Sequence, residues 1–414
     1  MKPLHKRNTD APVWPETEGA PRDLIHITVV SRSFPPAYLN GGPSRSLGGL
    51  VYALGHEFRF AVVTSSHDGP DNSVMPSVVA DTWVDHLAAR VWYSSNSRHA
   101  LTILKLIDAT GPEILYLNSL FDPRFSVLPL IFIRLFRRRV PVLLSPRGEL
   151  SRGALALKAT KKRAFITLFR FLRLHRFVDW QASESQEAAD ISRVFGHRVR
   201  VHVARQLRPD LVIELAHPST GATKDDRLAR SVVFLSRIAR KKNLARLILA
   251  LSQVEGPIRL SIAGPIEDPA YWRECKRLID DLPSNKEVQY VGTVPADSTV
   301  EFLANFDLFV LPTLGENFGH VILESLAAGT PVIVGEDTPF GEVEQAGAGW
   351  SRDPASTVEF ARAMETFFDL TRGEQEAMRS RAQDLARRLA FDQRSLDSQR
   401  AIFSLLASRH PRAK

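Results

Sequence analysis

The sequence predicts an α/β protein of two domains, each a parallel sheet covered by helices on both faces. Three observations carry that prediction. The chain has 414 residues, more than one core ordinarily serves. Short apolar runs alternate with helical segments of about 10–15 residues, the rhythm of parallel strands joined by crossover helices. The rhythm stops once, at about Arg205–Ala229, where "HPSTGATKDDR" is polar, carries Pro and Gly and has no period, and then it restarts.

In the first half, "LIHITVVS" (Leu24–Ser31) reads as a strand because it has few polar breaks. A Gly-rich loop follows, then a helix over about Ser44–Glu57 and the strand "FAVVTS". Further on come "PEILYLN", a helix near Arg124–Arg138, and "VPVLLS". One long basic helix is expected over roughly Leu155–His175, followed by "FVDWQAS" and a short helix near Glu184–Phe195. The second half restarts with "SVVFLS", a helix through "NLARLILAL", and "IRLSIAG". A helix near Pro269–Asp281 leads to "VQYVG", a short helix and "FDLFVLPT". "GENFGHVILESLAAG" is expected to carry a helix starting near Phe318, before "TPVIV". Three helices, near Ala355–Leu370, Arg372–Leu389 and Asp392–Ala407, finish the chain. Two such halves joined by a hinge are expected to be Rossmann-like sheets facing across a cleft at their strands' carboxyl ends.

Composition narrows the class. Hydrophobic content of 44% and charged content of 24% are those of a globular chain in water. The single cysteine, Cys275, excludes an internal disulfide and a four-cysteine zinc site. Residues 1–22 are polar and lack the apolar stretch of a signal peptide, so a loose tail is expected. No run of about 18 apolar residues exists to span a bilayer. Charge is uneven: residues 1–210 hold 29 Lys+Arg against 18 Asp+Glu, a net +11, while the rest of the chain nets −3. From Ser126 to Arg176 there are 13 basic residues and one acidic, Glu149. Such a block suits an anionic partner, although a solvated helix face gives the same pattern.

The chemistry concentrates in "GENFGHVILESLAAGTPVI", where Glu316 and Glu324 are spaced E-x(7)-E between two strands. With the helix starting near Phe318, Glu316 lies in the preceding loop and Glu324 about two turns in. A helix amino end presents unsatisfied N–H groups and partial positive charge to phosphate or sugar oxygens. Taken singly, Glu316 also reads as a helix-start charge and Glu324 as a solvent-facing residue. In "FLSRIARKKNLARL", Arg237 and Lys242 stand between a strand and a helix, where a guanidinium and an ammonium would neutralise a diphosphate. Lys241 and Arg240 compete for the second role, and a plain basic loop is the other reading. After the first strand, "NGGPSRS" places Gly41 and Gly42 at the start of a helix whose amino end suits phosphate, and a plain turn with a helix cap at Ser44 is the other reading. No H-E-x-x-H, G-x-S-x-G or Asp-x-Asp occurs, and a metal is not expected.

The succession of these motifs resembles the retaining glycosyltransferases of family 4, with the GT-B architecture. The motifs are Gly-Gly after strand one, "LSR…KK", Ala263-Gly264, "VGTV", and E-x(7)-E followed by "AAGTPVI". The resemblance covers most of the chain from about Leu24 and is most specific over residues 231–334. "SPRGEL" at 145–150 and the lysine-rich segment after it also resemble bacterial surface-polysaccharide transferases. The resemblance implies transfer of a sugar from a nucleoside-diphosphate sugar, with no cofactor, to a glycan or polyprenyl-diphosphate-linked acceptor. It implies that Arg237 and Lys242 hold the diphosphate, Glu316 grips sugar hydroxyls and Glu324 the ribose. Asn317, Phe318, Gly319 and His320 then line the donor, Val294 lies by the base, and Gly41, Gly42 and Arg147 approach from the first domain.

One departure is that Arg147 stands where many members carry a histidine. A guanidinium is always charged and cannot shuttle a proton, but it can hold phosphate. A tie from Arg147 to Glu149 or to backbone is the alternative. His320 reads equally as a helix-surface residue, and Cys275 as an unreactive one. The segment 158–176, "KATKKRAFITLFRFLRLHR", is a basic amphipathic stretch that suits an anionic membrane or packs on the first sheet.

The expected division is a flexible tail, 1–22; an acceptor-side domain, 23–208; a nucleotide-sugar domain, 209–388; and a closing helix, 389–414, packing back on the first domain. The expected setting is cytoplasmic, at the inner face of the plasma membrane. A sugar-nucleotide 2-epimerase, a non-catalytic sugar-nucleotide sensor and a nucleic-acid binder are the competing readings. The last leaves E-x(7)-E unexplained, so nucleic acid is not the expected partner.

Overall fold

The computed structural model describes residues 12, 24–38, 42–69, 72–95, 100–137, 139–156, 158–208, 230–390 and 392–409. Apart from residue 12, the expected tail 1–22 lies outside them, as do Gly41 and the hinge stretch 209–229. The chain divides into two compact units, Met1–Pro209 with Asp392–Lys414, and Asp210–Phe391.

The first unit holds β1 (His26–Val30), β2 (Arg59–Ser65), β3 (His67–Asp68), β4 (Ser73–Val74), β5 (Trp83–His86), β6 (Ala89–Ser94), β7 (Ile114–Asn118), β8 (Val142–Ser145), β9 (Asp179–Ala182) and β10 (Arg200–Val203). Eight of them form one sheet in the order β10-β9-β8-β7-β1-β2-β6-β5, and β3 pairs with β4 apart from it. The sheet is parallel except at its edge, where β5 runs antiparallel to β6. Alternate residues feed opposite faces. Ile27, Val29, Tyr116 and Leu143 pack with the helix Gly42–Leu54. Val30, Leu115, Leu117 and Leu144 pack with residues of the helices Ala100–Thr110, Leu128–Phe136 and Ser185–Phe195.

The closing helix, Gln393–Ser408, belongs to this unit. Phe403 is fully buried, with ring centroids 5.2 Å from Phe58, 6.1 Å from Phe60 and 6.2 Å from Tyr116. Gln181 donates to Gln399 at 2.7 Å, and Arg400 donates to both carboxylate oxygens of Glu57. The Arg400 guanidinium, first as a donor and then as a charge, holds the Glu57 carboxyl below its ordinary range.

The second unit holds β11 (Arg230–Leu235), β12 (Ile258–Ala263), β13 (Lys286–Gly292), β14 (Leu308–Leu311), β15 (Val332–Gly335) and β16 (Gly349–Arg352). They form an all-parallel sheet in the order β13-β12-β11-β14-β15-β16. One continuous core joins the strands to the crossover helices. Local chemistry starts those helices where the sequence says it should: Asp268 accepts from the Tyr271 N–H at 2.9 Å, with Pro269 as the first helical residue. Cys275 is buried in that helix, and its thiol is pushed up to about 11 by burial.

Three expectations need correction. The long basic helix is three pieces, Arg152–Ala156, Ala159–Phe171 and Leu174–Phe177. Lys158 (φ 54°) and Arg173 (φ 56°) break it in left-handed conformations that no Gly or Pro announces. The helix of the glutamate segment starts at His320 rather than Phe318, so Glu324 sits about one turn in rather than two. Strands β5, β6, β10 and β16 and the helix Ala100–Thr110 are not among the sequence-read elements.

Candidate functional site

In an open parallel sheet, ligands bind at the strands' carboxyl ends where the strand order reverses. In the second unit β11, β12 and β13 build outward one way, and β14, β15 and β16 the other, so the order reverses between β11 and β14. The loop after β11 carries Arg237, Lys241 and Lys242; the loop after β14 carries Glu316 to Gly319. The two charged motifs, 74 residues apart in sequence, therefore meet at one place.

Lys242 closes a short 3-10 turn, Arg240–Lys242, ended by Asn243 in a left-handed conformation (φ 59°). Its ammonium donates to Glu316 Oε1 at 2.5 Å, and the two side chains are only 11% and 12% exposed. Burial alone would raise the Glu316 carboxyl. The charge and hydrogen bond of Lys242, with Lys241 and Thr313, more than offset it and hold the carboxyl below its ordinary range. The Lys241 ammonium is lowered, by desolvation first and by Lys242 and Arg237 next, while Glu316 opposes. The backbone is tied as closely: Leu314 donates to the Lys241 carbonyl at 2.9 Å, and Glu316 to the Asp337 carbonyl at 3.1 Å.

Arg237 differs. It is half exposed and paired with the equally exposed Glu267. Arg240 is spent on Glu274 at 2.9 Å and lies over the Tyr271 ring. Of the three candidates for the second cation, Lys242 is the one in direct contact with Glu316, with Lys241 in its field.

Gly319 caps the helix His320–Ala327 at φ 75°, and a Cβ there would lie 2.9 Å from the Phe340 ring. Only glycine both turns the chain and clears that ring. Phe318 is buried, with its ring centroid 4.5 Å from that of His320, and Asn317 is half-buried. The Gly319 carbonyl opens the helix by accepting from the Ile322 and Leu323 amides at 2.9 and 3.2 Å, and the partial positive charge of a helix amino end suits an anion. Glu324 is 2% exposed, so the solvent-facing reading is excluded. Val294 follows β13 and packs half-buried on the core. Between them, Gly264 (φ 124°) lies where a Cβ would come within 2.1 Å of the Ser236 carbonyl oxygen, so the ends of β11 and β12 close up tightly.

Gly42 and Arg147 belong to the first unit. There the order reverses between β1 and β7. Gly42 begins the helix that follows β1, and Arg147 follows β8, the neighbour of β7. Arg147 is left-handed (φ 53°) and donates to Asn118 Oδ1 at 2.5 Å and to the Tyr116 hydroxyl at 3.0 Å. The expected alternative, a tie to Glu149, is overturned. Glu149 instead accepts from the backbone N–H of Leu120 at 2.6 Å and from the Ser119 hydroxyl at 2.8 Å.

Sequence reasoning missed Thr313, Asp337, Glu267, Asn118 and Tyr116 as partners of these residues. Thr313 ends the legible run "FDLFVLPT", and Asn118 ends the legible run "PEILYLN", which also carries Tyr116, so that signal was present; Asp337 and Glu267 are fixed only by the pairing of strands and loops.

Comparison with known proteins includes one family match over this segment. Residues 221–385 match the family model described as "Glycosyl transferases group 1". The chain is similar to the alpha-monoglucosyldiacylglycerol synthase of Streptococcus pneumoniae, 31% identical over 107 residues, which are 25% of this chain and 24% of that protein. It is similar to the lipopolysaccharide core biosynthesis glycosyltransferase LpsE of Rhizobium meliloti, 32% identical over 135 residues, 32% of this chain and 38% of that one. The matches thus span about a quarter to two fifths of these relatives' lengths. Among solved structures, Anabaena Alr3699/HepE in complex with UDP and glucose superposes with a TM-score of 0.67 at 18% identity, over 93% of this chain and all of that one. Sucrose-phosphate synthase from Thermosynechococcus elongatus gives 0.62 at 16% identity, again over 93% of this chain and all of that one. At such identities the likeness is one of fold: the architecture is that of GT-B proteins.

Proposed function

We propose that this chain, whose residues 221–385 match the model of the group 1 glycosyl transferases, transfers a sugar, with retention, from a nucleoside-diphosphate sugar to a glycan or lipid-linked acceptor. The observation that carries the reading is the Lys242–Glu316 pair at the strand-order reversal, with Lys241 in its field and Arg237 on the same loop.

Loss of a nucleoside diphosphate builds negative charge on the leaving oxygen. Fixed cations and helix amides stabilise that charge most in the transition state. Lys242 donates one hydrogen bond to Glu316 and keeps further N–H donors for a phosphate oxygen. Glu316, held ionised, accepts from sugar hydroxyls. Arg237 exchanges the exposed Glu267 for the diphosphate, and Glu324 serves the ribose. In a front-face displacement the leaving phosphate oxygen takes the acceptor's proton, so neither a protein nucleophile nor a metal is required. Solved structures similar in fold hold UDP with glucose or UDP-glucose, which favours a uridine donor.

The acceptor is assigned to the first unit. A cavity of about 350 Å³ there is lined by Arg152, Lys162, Arg163 and Arg193 with Leu155 and Ile166, a mixture that suits a diphosphate on an apolar chain. Past it, Leu168, Phe171 and Leu172 stand exposed among Arg170 and Arg173, as on helices that lie in a membrane interface. One relative's name, a glucosyldiacylglycerol synthase, is that of an enzyme making a lipid. Among the described residues no helix is long and apolar enough to cross a membrane. Association at the cytoplasmic face and a role in surface-polysaccharide synthesis complete the proposal.

A thermal-shift panel of nucleotides and nucleotide sugars tests it, since a ligand that binds the native state raises the melting temperature. Nucleoside diphosphates and one sugar derivative should raise it, and Arg237→Ala should blunt the rise. A flat response across the panel would refute the donor site. For the membrane face, neutralising Lys161, Lys162 and Arg163 should reduce flotation with anionic vesicles; unchanged flotation removes that part.

A further inference from the structure

At the other edge of the first unit's sheet, where the strands begin, lies an open cavity of about 290 Å³ lined by Arg139, Phe177, Asp179, Arg200 and Arg409 among others. Arg139 precedes β8, Asp179 and Arg200 start β9 and β10, and Arg409 follows the closing helix. Four separate segments therefore bring charge to one hollow. Asp179 is its anchor. The carboxylate is 3% exposed and takes Arg200 at 3.0 Å, His202 at 2.8 Å and Arg409 at 2.9 Å. Burial pushes its carboxyl up, but His202, Arg200 and Arg409 together pull it below the ordinary range.

The charges do not balance. Three guanidiniums line the hollow and Asp179 is the one acid among the lining residues, which leaves two positive charges over. Arg200 and Arg409 stay 49% and 39% exposed while bonded to Asp179, so each keeps N–H groups open to solvent. A buried carboxylate that fixes two planar donor forks lowers the entropy cost of closing them on a ligand. Guanidinium forks match the oxygens of phosphate bidentately. A set of merely solvated surface arginines would have no such buried anchor and no concavity.

We propose that this cavity is a binding site for a phosphate mono- or diester, held by Arg139, Arg200 and Arg409. It lies at the opposite strand ends from the residues given to the acceptor, and does not depend on the glycosyl-transfer reading. A lipid headgroup and a free phosphate would present the same chemistry, and the experiment separates them.

Arg139→Gln is the informative variant, because it leaves the Asp179 cluster intact. Calorimetry of the full chain with inorganic pyrophosphate reads the free anion; flotation with phosphatidylcholine vesicles, with and without phosphatidylglycerol, reads the lipid. Arg237→Ala serves as the control that removes pyrophosphate bound at the donor loops. Pyrophosphate affinity that survives Arg237→Ala but falls about tenfold in Arg139→Gln supports a free phosphate ligand. Phosphatidylglycerol-dependent flotation lost in Arg139→Gln, but kept on neutralising Lys161, Lys162 and Arg163, supports a lipid headgroup. If Arg139→Gln and Arg200→Gln, both folded by circular dichroism, change neither readout, the site does not exist.

Discussion

Each unit sinks a glutamate beside its strand-order reversal, and the two are held in opposite ways. After β14, Glu316 lies against Lys242 with Lys241 nearby, and its carboxyl is driven down. After β8, Glu149 is raised, by burial first, against the backbone amides of Leu120 and Phe121, the Ser119 hydroxyl and the more distant Lys162. The adjoining cation, Arg147, is turned away onto Asn118 and Tyr116. Cations thus keep one carboxylate charged, as the proposed donor role requires, while the other spends its oxygens organising the loop after β7. A carboxylate at a suitable sheet edge is not enough for a donor site; what it is paired with decides its use.

The largest expected effect comes from breaking the charged pair. Glu316→Ala should abolish transfer and, by leaving Lys242 buried and unpaired, cost about 3–5 kcal/mol of second-unit stability in denaturant unfolding. A helix-start charge, the reading of Glu316 taken singly, would be lost at little cost to folding; the buried pair with Lys242 says otherwise. Replacing Lys242 by Met in the same protein should restore much of the stability and none of the activity. Arg237→Ala should weaken nucleoside-diphosphate binding by about 1.5–3 kcal/mol in calorimetry. Its exposed pair with Glu267 predicts a stability change of about 0–1 kcal/mol. An Arg237→Ala protein that loses stability and keeps its nucleotide affinity would reverse the roles given to the two cations.

In the first unit, Arg147→Ala should cost about 1 kcal/mol of stability through the lost bonds to Asn118 and Tyr116. Nucleotide affinity that falls in this variant as in Arg237→Ala would place Arg147 on the donor. Carboxyl titration by NMR sharpens the contrast. Glu316 should titrate below the ordinary glutamate range and Glu149 above it. The stabilisation from Glu316 is therefore present above its unfolded value and lost as pH falls through the folded one. The contribution of Glu149 runs the other way, present in acid and lost as pH rises through its raised folded value. The smallest effect expected is that of a chelator, which should leave the transfer rate unchanged.

Much of the fold beneath this contrast was legible beforehand, for reasons particular residues show. Strands buried on both faces read as unbroken apolar runs, so β1, β7, β11 and β14 announced themselves in "HITVV", "ILYLN", "SVVFL" and "LFVL". The edge pair β5–β6 did not, because "WVDHLAARVWYS" turns at Leu87 (φ 52°) without glycine and carries charge inside its strands. The motif residues Lys242 and Glu316 were readable as types at a spacing. Their contact was not, since strand order is a tertiary fact. The same holds for Arg237 and Glu267, whose loops follow the paired strands β11 and β12 and are bridged at Ile238 and Ile266.

The helix Gln393–Ser408 completes the core of a unit whose strands all precede position 210. On the ribosome, domains generally mature in the order they emerge. Here the half synthesised first must wait, with Phe58, Phe60 and Tyr116 uncovered, until Phe403 arrives. The second half can finish its own folding in the meantime. An interrupted translation product ending near residue 390 would carry a finished second half and an unsealed first one, the kind of apolar exposure that quality-control proteases and chaperones detect.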